Sequence, residues 1–327
     1  MPASPHISGT VERLLALKRM PMLAGLPAEE LSVVAEHARE RFFPKGSVLL
    51  REGEPISALH VLLDGKVHLS RRGRVLGHVT ADGAVGGAAM LARDSDGLQA
   101  VAETDTLALE LEADAVLEIF EDHFPILHHA LRENCRTLID LMGRLPGELY
   151  AQAFPPTAAA AGPASDLDLV DRIVFLRQVS PFNRSSVNAL AQLSRGLAEA
   201  SFPAGTPLWE EGDSSGSVLL VVRGTAAGNA RDGAARWNAG PGAAMGAVES
   251  MAERPRWYSV TAATPLTALH GPMEALIDVF EDNFEMAMDY LAVIARWQIR
   301  VLEMRVAAGG RDLERFYGCD EAPDDPT

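Results

Sequence analysis

The chain has 327 residues, 47% of them apolar, and a formal net charge of −16 at pH 7. This length supports two domains that each bury a core, and the composition is typical of a globular protein, not a disordered one. The acidic balance disfavours nucleic acid or an anionic membrane surface as the main partner, because both attract positive charge.

The sequence also predicts a reduced, cytoplasmic protein. Its two cysteines, Cys135 and Cys319, are too few for a disulfide framework or a zinc site. Residues 1–10 lack the apolar core of a signal peptide, and no apolar run reaches the roughly 18 residues of a membrane span. We therefore expect no membrane association.

Predicted elements run from helix to strand and back to helix over residues 10–145. Helical segments are predicted at 10–20, from 27 onward, and from 113 to 145. Strand-like runs occupy the interval, at 47–50, 59–63, 66–70, 75–79 and 106–111. The Asp-Gly pair at 64–65 is typical of a two-residue turn, so we expect the flanking runs to form a β-hairpin.

The same layout returns in the second half of the chain. Helices are predicted at 169–197 and 273–306, with strand-like segments between 207 and 270. Two motifs also return, Phe-Glu-Asp-x-Phe at 120–124 and 280–284 and Phe-Pro-x-Gly at 43–46 and 202–205. A period this long indicates a duplicated domain and not a solenoid. We call the two halves copy one and copy two.

The predicted fold class is α+β, with two tandem antiparallel β-roll (jelly-roll-like) domains, each flanked by N-terminal helices and a long C-terminal helix. We predict domain one at 1–150, domain two at 169–306 and a tail at 307–327. The segment 151–168 is predicted to be a linker, and its Ala- and Pro-rich part, 151–165, is expected to be exposed.

Each copy resembles the cyclic nucleotide-binding domain of the catabolite activator protein and of protein kinase A regulatory subunits. The likeness is carried by the Phe-Pro-x-Gly and Glu-Gly motifs, the Gly65 and Gly224 turns and the closing helix, in one order found twice. It covers about 13–145 and 172–305, and it implies cAMP or cGMP as the ligand.

The family's ligand is held by a short helical cassette of the form Gly-Glu-x-Ala-x6-Arg. The helix N-terminus and backbone N–H groups meet the phosphate, the arginine binds the phosphate oxygens, and the glutamate accepts from the ribose hydroxyl. In copy one, Gly87 replaces the glutamate and Asp96 the arginine, although Arg93 lies nearby. A carboxylate repels a phosphate, so we predict that copy one does not bind the ligand in the family's usual way.

Copy two retains the cassette arginine as Arg256, ten residues after Gly246, but Ala247 replaces the glutamate. The resemblance implies a ligand site in copy two, with Tyr290 or Trp297 of the closing helix as the residue that stacks on the base. The candidate ligand-binding residues are Gly246, Ala247, Val248, Arg256, Ser259 and Trp297.

Two residues of this region have competing interpretations. Arg256 is either the phosphate clamp or a solvated loop arginine beside Arg254, or one paired with Glu253. Glu249 lies two positions after Ala247, on a different side of a helix, which favours a surface or structural carboxylate over a ribose ligand.

The sequence predicts no metal site and no enzyme. His60, His68 and His78 lie on predicted strands, but the His-x-His pair of β-roll metalloenzymes is absent, so we interpret them as ordinary core or surface histidines. No phosphate-binding glycine loop, nucleophile elbow or zinc motif occurs. We therefore predict no catalytic residues.

Apolar residues on both closing helices are spaced 4-3-4-3, at 131–145 and 290–304. Such a seam packs within the chain or forms a homodimer. About twenty residues follow the last predicted helix, too few for a helix-turn-helix unit, so we expect no DNA binding.

Two functions stay open from the sequence. One is a non-enzymatic regulatory protein in which copy two senses a cyclic nucleotide or a related phosphate ligand and passes the signal to a protein partner. The alternative is a ligand-free scaffold or dimerisation module built from degenerate copies.

Overall fold

The computed structural model describes residues 9–20, 22–93, 98–154, 161–162 and 167–309. The chain divides into two compact units, Met1–Ala130 with Arg305–Thr327, and Leu131–Met304. The domain limits predicted from the sequence stay a prediction.

The first half of the chain contains five described helices and eight described strands. The helices are α1 (Thr10–Arg19), α2 (Ala28–His37), α3 (Gly87–Leu91), α4 (Ala113–Asp122) and α5 (Phe124–Gly143). The strands are β1 (Arg39–Phe43), β2 (Val48–Leu50), β3 (Ala58–Asp64), β4 (Val67–Arg71), β5 (Arg74–Val79), β6 (Ala84–Val85), β7 (Leu98–Ala102) and β8 (Thr106–Glu112).

The second half repeats this order. Its described helices are α6 (Tyr150–Ala153), α7 (Leu169–Leu176), α8 (Val187–Gly196), α9 (Ala247–Met251), α10 (Met273–Asp282) and α11 (Phe284–Ala307). Its described strands are β9 (Ala198–Phe202), β10 (Pro207–Trp209), β11 (Ser217–Arg223), β12 (Ala226–Ala230), β13 (Ala235–Ala239), β14 (Ala244–Met245), β15 (Ser259–Ala262) and β16 (Leu266–Pro272).

Each copy is a roll of two four-stranded antiparallel sheets. In copy one the sheet orders are β1-β8-β3-β6 and β2-β7-β4-β5. Copy two has the equivalent orders, β9-β16-β11-β14 and β10-β15-β12-β13. The predicted α+β class, with two tandem antiparallel rolls that each end in a long helix, is therefore confirmed.

The predicted hairpin around Asp64-Gly65 is wrong. The runs on either side of this turn are β3 and β4, which belong to different sheets. β3 pairs with β6 and β8, while β4 pairs with β5 and β7, so both edges of each strand are already occupied. The Asp-Gly turn instead carries the chain from one sheet of the roll to the other.

Glycine is required at this turn for steric reasons. Gly65 has a φ of +97°, and a Cβ there would lie 2.7 Å from the Asp105 carbonyl oxygen. Only glycine adopts this conformation and tolerates this approach without strain.

The linker prediction needs a correction at the start of the predicted segment, which lies within the second unit. Residues 150–153 form a helix whose Tyr150 and Ala153 are buried, and Phe154 is half-buried against aromatic residues of copy two. Residues 155–160 and 163–166 lie outside the described residues. Ala153 and Phe154, which fall within the predicted exposed linker, therefore pack into a core, whereas residues 151 and 152 are exposed as predicted.

Within the second unit, α11 contacts the part of α5 that follows Leu131. The Gln298 side-chain amide donates to the Asn134 carbonyl oxygen (2.6 Å) and to the Asn134 Oδ1 atom (3.2 Å), and both side chains are buried. Intramolecular packing of this helix seam, one of the two predicted alternatives, is thus present, and the homodimer stays a prediction.

Candidate functional site

The cassette of copy two is a tight turn followed by a short helix. Gly246 has a φ of +81° and immediately precedes α9. A Cβ at this position would lie 2.7 Å from the Ser217 carbonyl oxygen and would collide with the Arg256 guanidinium. The turn therefore needs glycine because the arginine packs directly against its backbone.

Arg256 is buried, with 4% of the residue exposed. Its Nη1 group donates to the Gly246 carbonyl oxygen (3.0 Å) and to Glu249 Oε1 (3.1 Å). Its Nη2 group donates to the carbonyl oxygen (3.0 Å) and the Oγ atom (2.9 Å) of Ser217. Its Cζ atom lies 4.4 Å from the centroid of the Trp209 ring, a cation–π distance.

One N–H group of Arg256 has no acceptor. The Nε atom is buried and has no hydrogen-bond partner among the described residues. A buried donor without a partner costs free energy and is uncommon in folded proteins. The arrangement thus fixes the arginine with four acceptor contacts while leaving a fifth N–H unsatisfied.

Glu249 supplies the negative charge that faces Arg256. It is 1% exposed, and the neighbouring Tyr258 hydroxyl accepts from the Gly246 N–H at 3.0 Å. Burial raises the pKa of Glu249, and the charge and hydrogen bonds of Arg256 act in the opposite direction. Burial also raises the pKa of Tyr258 well above its ordinary value, so this hydroxyl stays protonated.

The structure corrects the interpretation of Arg256 as a solvated arginine or as a partner of Glu253. The side chain is enclosed and its carboxylate partner is Glu249, whereas Glu253 pairs with Arg132 (3.2 Å). Glu249 is thus a buried carboxylate with a structural partner and not a surface group, while its role toward a ribose stays a prediction. Sequence register identified the arginine but not the carboxylate that holds it.

A small cavity of about 30 Å³ lies beside the cassette. Residues 246–249, Phe154, Trp257, Tyr258 and Trp297 line it, together with apolar residues of α5. Its volume is enough for one or two ordered water molecules. The cavity is far smaller than typical small-molecule sites of about 300–1,000 Å³.

Phe154 contacts three of the four tryptophans of copy two. Its ring stacks on Trp237 at 4.9 Å and on Trp257 at 6.2 Å between centroids, and meets the edge of Trp297 at 5.4 Å. Such aromatic contacts contribute beyond the area that they bury. Sequence reasoning missed Phe154 because it lies in an Ala- and Pro-rich stretch, and an aromatic residue in such a stretch was the available signal.

The predicted site residues lie in three different surroundings. Gly246, Ala247, Val248 and Trp297 line the cavity, with Trp297 half-buried. Arg256 reaches the cassette from behind Gly246 and is bonded to Glu249. Ser259 is half-buried on β15, and its Oγ atom accepts from the Glu211 N–H at 2.9 Å.

Copy one has the same backbone turn with different chemistry. Gly86 has a φ of +97° before α3, and Ala89 occupies the position of Glu249. Arg93 has a φ of +53° and corresponds in backbone position to Glu253, which has a φ of +52°, and not to Arg256. Asp96, the predicted replacement for the arginine, lies outside the described residues.

The sequence profile described as "Cyclic nucleotide-binding domain" matches residues 40–123 and 199–283, together more than half of the chain. The chain belongs to the cyclic nucleotide-binding domain family. Both matches span the strands of a roll and its cassette, so the predicted recognition of a tandem repeat of this family is confirmed.

Solved structures of similar fold include regulatory proteins of protein kinases. The regulatory subunit of a cAMP-independent protein kinase A from Trypanosoma brucei is 16% identical, with 85% of this chain and 90% of that chain covered and a TM-score of 0.36. The cAMP complex of the regulatory domain of Toxoplasma gondii PKA is 17% identical, with coverages of 89% and 98% and a TM-score of 0.33.

The solved structure of a shorter chain is also similar. The N-terminal domain of a transcriptional regulator from Streptomyces coelicolor is 23% identical, with 39% of this chain and 96% of that chain covered and a TM-score of 0.36. A comparison with curated proteins gives no match. None of the helices in the described part of the chain has the length and apolar character needed to cross a bilayer.

Proposed function

We propose that this protein is a non-enzymatic regulator. In this proposal, copy two binds a cyclic nucleotide or a related phosphate ligand, and a protein partner recognises the resulting conformational change. The observation that carries the proposal is the buried Arg256 behind the Gly246 turn, next to a cavity lined by the cassette and by Trp297. An arginine fork suits phosphate oxygens, and an aromatic face suits a base.

The site is held closed by two groups of the chain itself. The cassette resembles Gly-Glu-x-Ala-x6-Arg, and Glu249 stands at the position of the family's alanine. Its carboxylate bonds to the arginine that a phosphate would use, so the ligand has to compete with it. Phe154 occupies the aromatic side of the same cavity.

A ligand site that the chain itself keeps closed supports a role as a conformational switch. A ligand shifts a conformational equilibrium only when it binds one conformation better than the other. The cavity in the present, closed conformation has a volume of about 30 Å³, which is too small for a nucleotide. A nucleotide would therefore bind only to a more open conformation. Opening must move Phe154 or the neighbouring part of α5 and α11, and we propose that the protein partner recognises that movement.

One observation favours the scaffold as the second candidate. Four hydrogen bonds from the Arg256 guanidinium already go to protein acceptors, which favours a structural role for the arginine in holding the roll together. In the scaffold, the arginine is a structural residue and no small ligand enters. The two candidates therefore differ in whether removal of Glu249 creates a usable anion site.

Isothermal titration with cAMP and with cGMP tests this difference. We expect weak binding to the natural protein and binding about 10- to 100-fold tighter to Glu249→Ala, because a hydrogen bond to a charged group contributes ~1.5–3 kcal/mol. Adding Ala247→Glu to that variant supplies an acceptor for the ribose hydroxyl, and we expect a further gain.

The matched control adds Arg256→Ala to Glu249→Ala, and binding should then be lost. Circular dichroism of each variant verifies that the roll is folded. If none of the folded variants binds either nucleotide at millimolar concentration, the sensor proposal fails and the scaffold is the remaining candidate.

A further inference from the structure

Copy one carries a group of metal-ligating side chains that copy two lacks. His68 on β4 and His78 on β5 lie directly opposite each other in the strand register, and Glu103 follows the end of β7. One ligand atom from each of the three residues lies within 4.8 Å of the other two. We propose that His68, His78 and Glu103 bind a divalent transition-metal ion, Zn²⁺ in the first instance.

The distances suit such an ion. The Nδ1 atom of His78 lies 3.0 Å from Glu103 Oε2, and the Nδ1 atom of His68 lies 3.7 Å from Glu103 Oε1. Ligands placed tetrahedrally at ~2.0–2.1 Å from zinc are roughly 3.3 Å apart. Two histidines and a glutamate form a known zinc ligand set that leaves a fourth position for water or another ligand.

The imidazole rings are not satisfied by hydrogen bonds in the described part of the chain. The Nδ1 atom of His78 is buried and has no hydrogen-bond partner despite its proximity to Glu103. The 3.7 Å separation at His68 exceeds hydrogen-bonding distance. A metal ion coordinated by both nitrogen atoms and the carboxylate would satisfy all three groups together.

The strands of copy one hold the three side chains in place. Facing residues of an antiparallel pair have Cβ atoms ~4.5–5.5 Å apart, which positions the two histidines. The backbone N–H of Glu103 donates to the Lys66 carbonyl oxygen at 2.8 Å, which fixes Glu103 beside the start of β4. Ligands on rigid strands lose little conformational freedom when a metal binds.

Copy two provides an internal comparison. Its residues at the equivalent places are Ala227, Asn238 and Ala263, as the matching strand registers and the matching hydrogen bond from Ala263 N–H to the Thr225 carbonyl show. The roll therefore forms without the two histidines and the glutamate. A search for His-x-His within one strand misses this group, because its members come from different strands.

Lys66 is the competing partner. Its Nζ atom lies 3.3 Å from Glu103 Oε2, so a metal ion must displace this ammonium group from the carboxylate. The Lys66 side chain is 39% exposed and can move into solvent. Copy two has Thr225 at this position, and we expect Lys66→Thr to tighten metal binding.

The test titrates chelator-treated, untagged protein with Zn²⁺ by calorimetry and with Co²⁺ by visible absorption. We expect one ion per chain, with an affinity reduced more than about tenfold by each of His68→Ala, His78→Asn and Glu103→Ala. These three substitutions introduce the residues that copy two has, so the fold should be retained, and circular dichroism verifies this.

His270→Ala is the matched control, since His270 is an exposed strand histidine elsewhere in the chain. It should leave binding of both metals unchanged. Absence of saturable binding overturns the proposal, and so does binding that the three ligand substitutions leave unaltered, which would be adventitious.

Discussion

Replacing Arg256 with alanine is expected to lower the free energy of unfolding of the second unit by about 3–5 kcal/mol. The substitution leaves the Glu249 carboxylate, 1% exposed, without its opposite charge. It also leaves the carbonyl oxygens of Gly246 and Ser217 without these donors. Removing one partner of a buried ion pair is costly because the other charge stays desolvated.

Urea unfolding followed by tryptophan fluorescence measures this effect selectively. The tryptophans of the chain, Trp209, Trp237, Trp257 and Trp297, all belong to copy two, so the signal reports the second unit. Arg254→Ala is the matched control, because Arg254 is an exposed neighbour and should change stability by less than about 0.5 kcal/mol. A loss below about 1 kcal/mol for Arg256→Ala would contradict a structural ion pair.

Removal of both partners separates the charge effect from the loss of packing. The double variant Glu249→Ala with Arg256→Ala should be more stable than Arg256→Ala alone by about 1 kcal/mol or more, since no buried charge is left unpaired. A double variant that is no more stable would show that Arg256 acts through packing on Trp209 instead.

The cost of Arg256→Ala should also depend on pH. Burial raises the pKa of Glu249 and Arg256 opposes that rise, so the pKa in the variant should rise further. Below its unfolded pKa the carboxyl is protonated in both states. As the pH rises above that value the unfolded state releases the proton first, and folded stability falls until the folded pKa is passed.

We therefore expect a larger deficit for Arg256→Ala at pH 7 than at about pH 4.5, close to the unfolded pKa of a glutamate. The measurement is the difference in unfolding free energy between variant and natural protein at the two pH values. An equal loss of unfolding free energy at both pH values would mean that the unpaired Glu249 carboxylate does not cause the loss of stability.

The sequence predicted the fold well because the duplicated pattern constrains it twice. Order and type of the long elements follow from periodicity, as in α10 and α11, where helical spacing continues from 273 to 306. The Asp64-Gly65 turn shows the limit. Local turn chemistry predicts a reversal of direction, but which strands pair afterwards depends on the sheet edges that distant segments such as β7 and β8 already occupy.

The candidate site was predictable only in part. Alignment with the family's cassette identified Arg256, ten residues after Gly246. In the structure the two residues are joined by a hydrogen bond from the arginine to the Gly246 carbonyl oxygen. The burial of Glu249 was not predictable, because its direction depends on where the short helix α9 packs against β11. The insertion of Phe154 depends on tertiary packing across more than 80 residues of sequence, which no local pattern records.

Phe154→Ala should move stability and ligand affinity in opposite directions. The half-buried ring contacts Trp237, Trp257 and Trp297, and its loss should cost about 2–3 kcal/mol of unfolding free energy, less than for a fully buried phenylalanine. Because the same ring closes the cavity beside the cassette, its removal should raise the affinity for cAMP or cGMP about tenfold if copy two is a sensor.

Together, the two measurements distinguish a residue that blocks the ligand site from a residue that contacts the ligand. Tryptophan fluorescence gives the stability and calorimetry the affinity, with Phe154→Leu as the control that retains most of the side-chain volume and should give smaller changes in both. Affinity that falls with stability would mean that Phe154 contacts the ligand and does not block it. Absence of nucleotide binding to all three proteins would contradict the sensor, because a site closed only by Phe154 and Glu249 must gain affinity when one of them is removed.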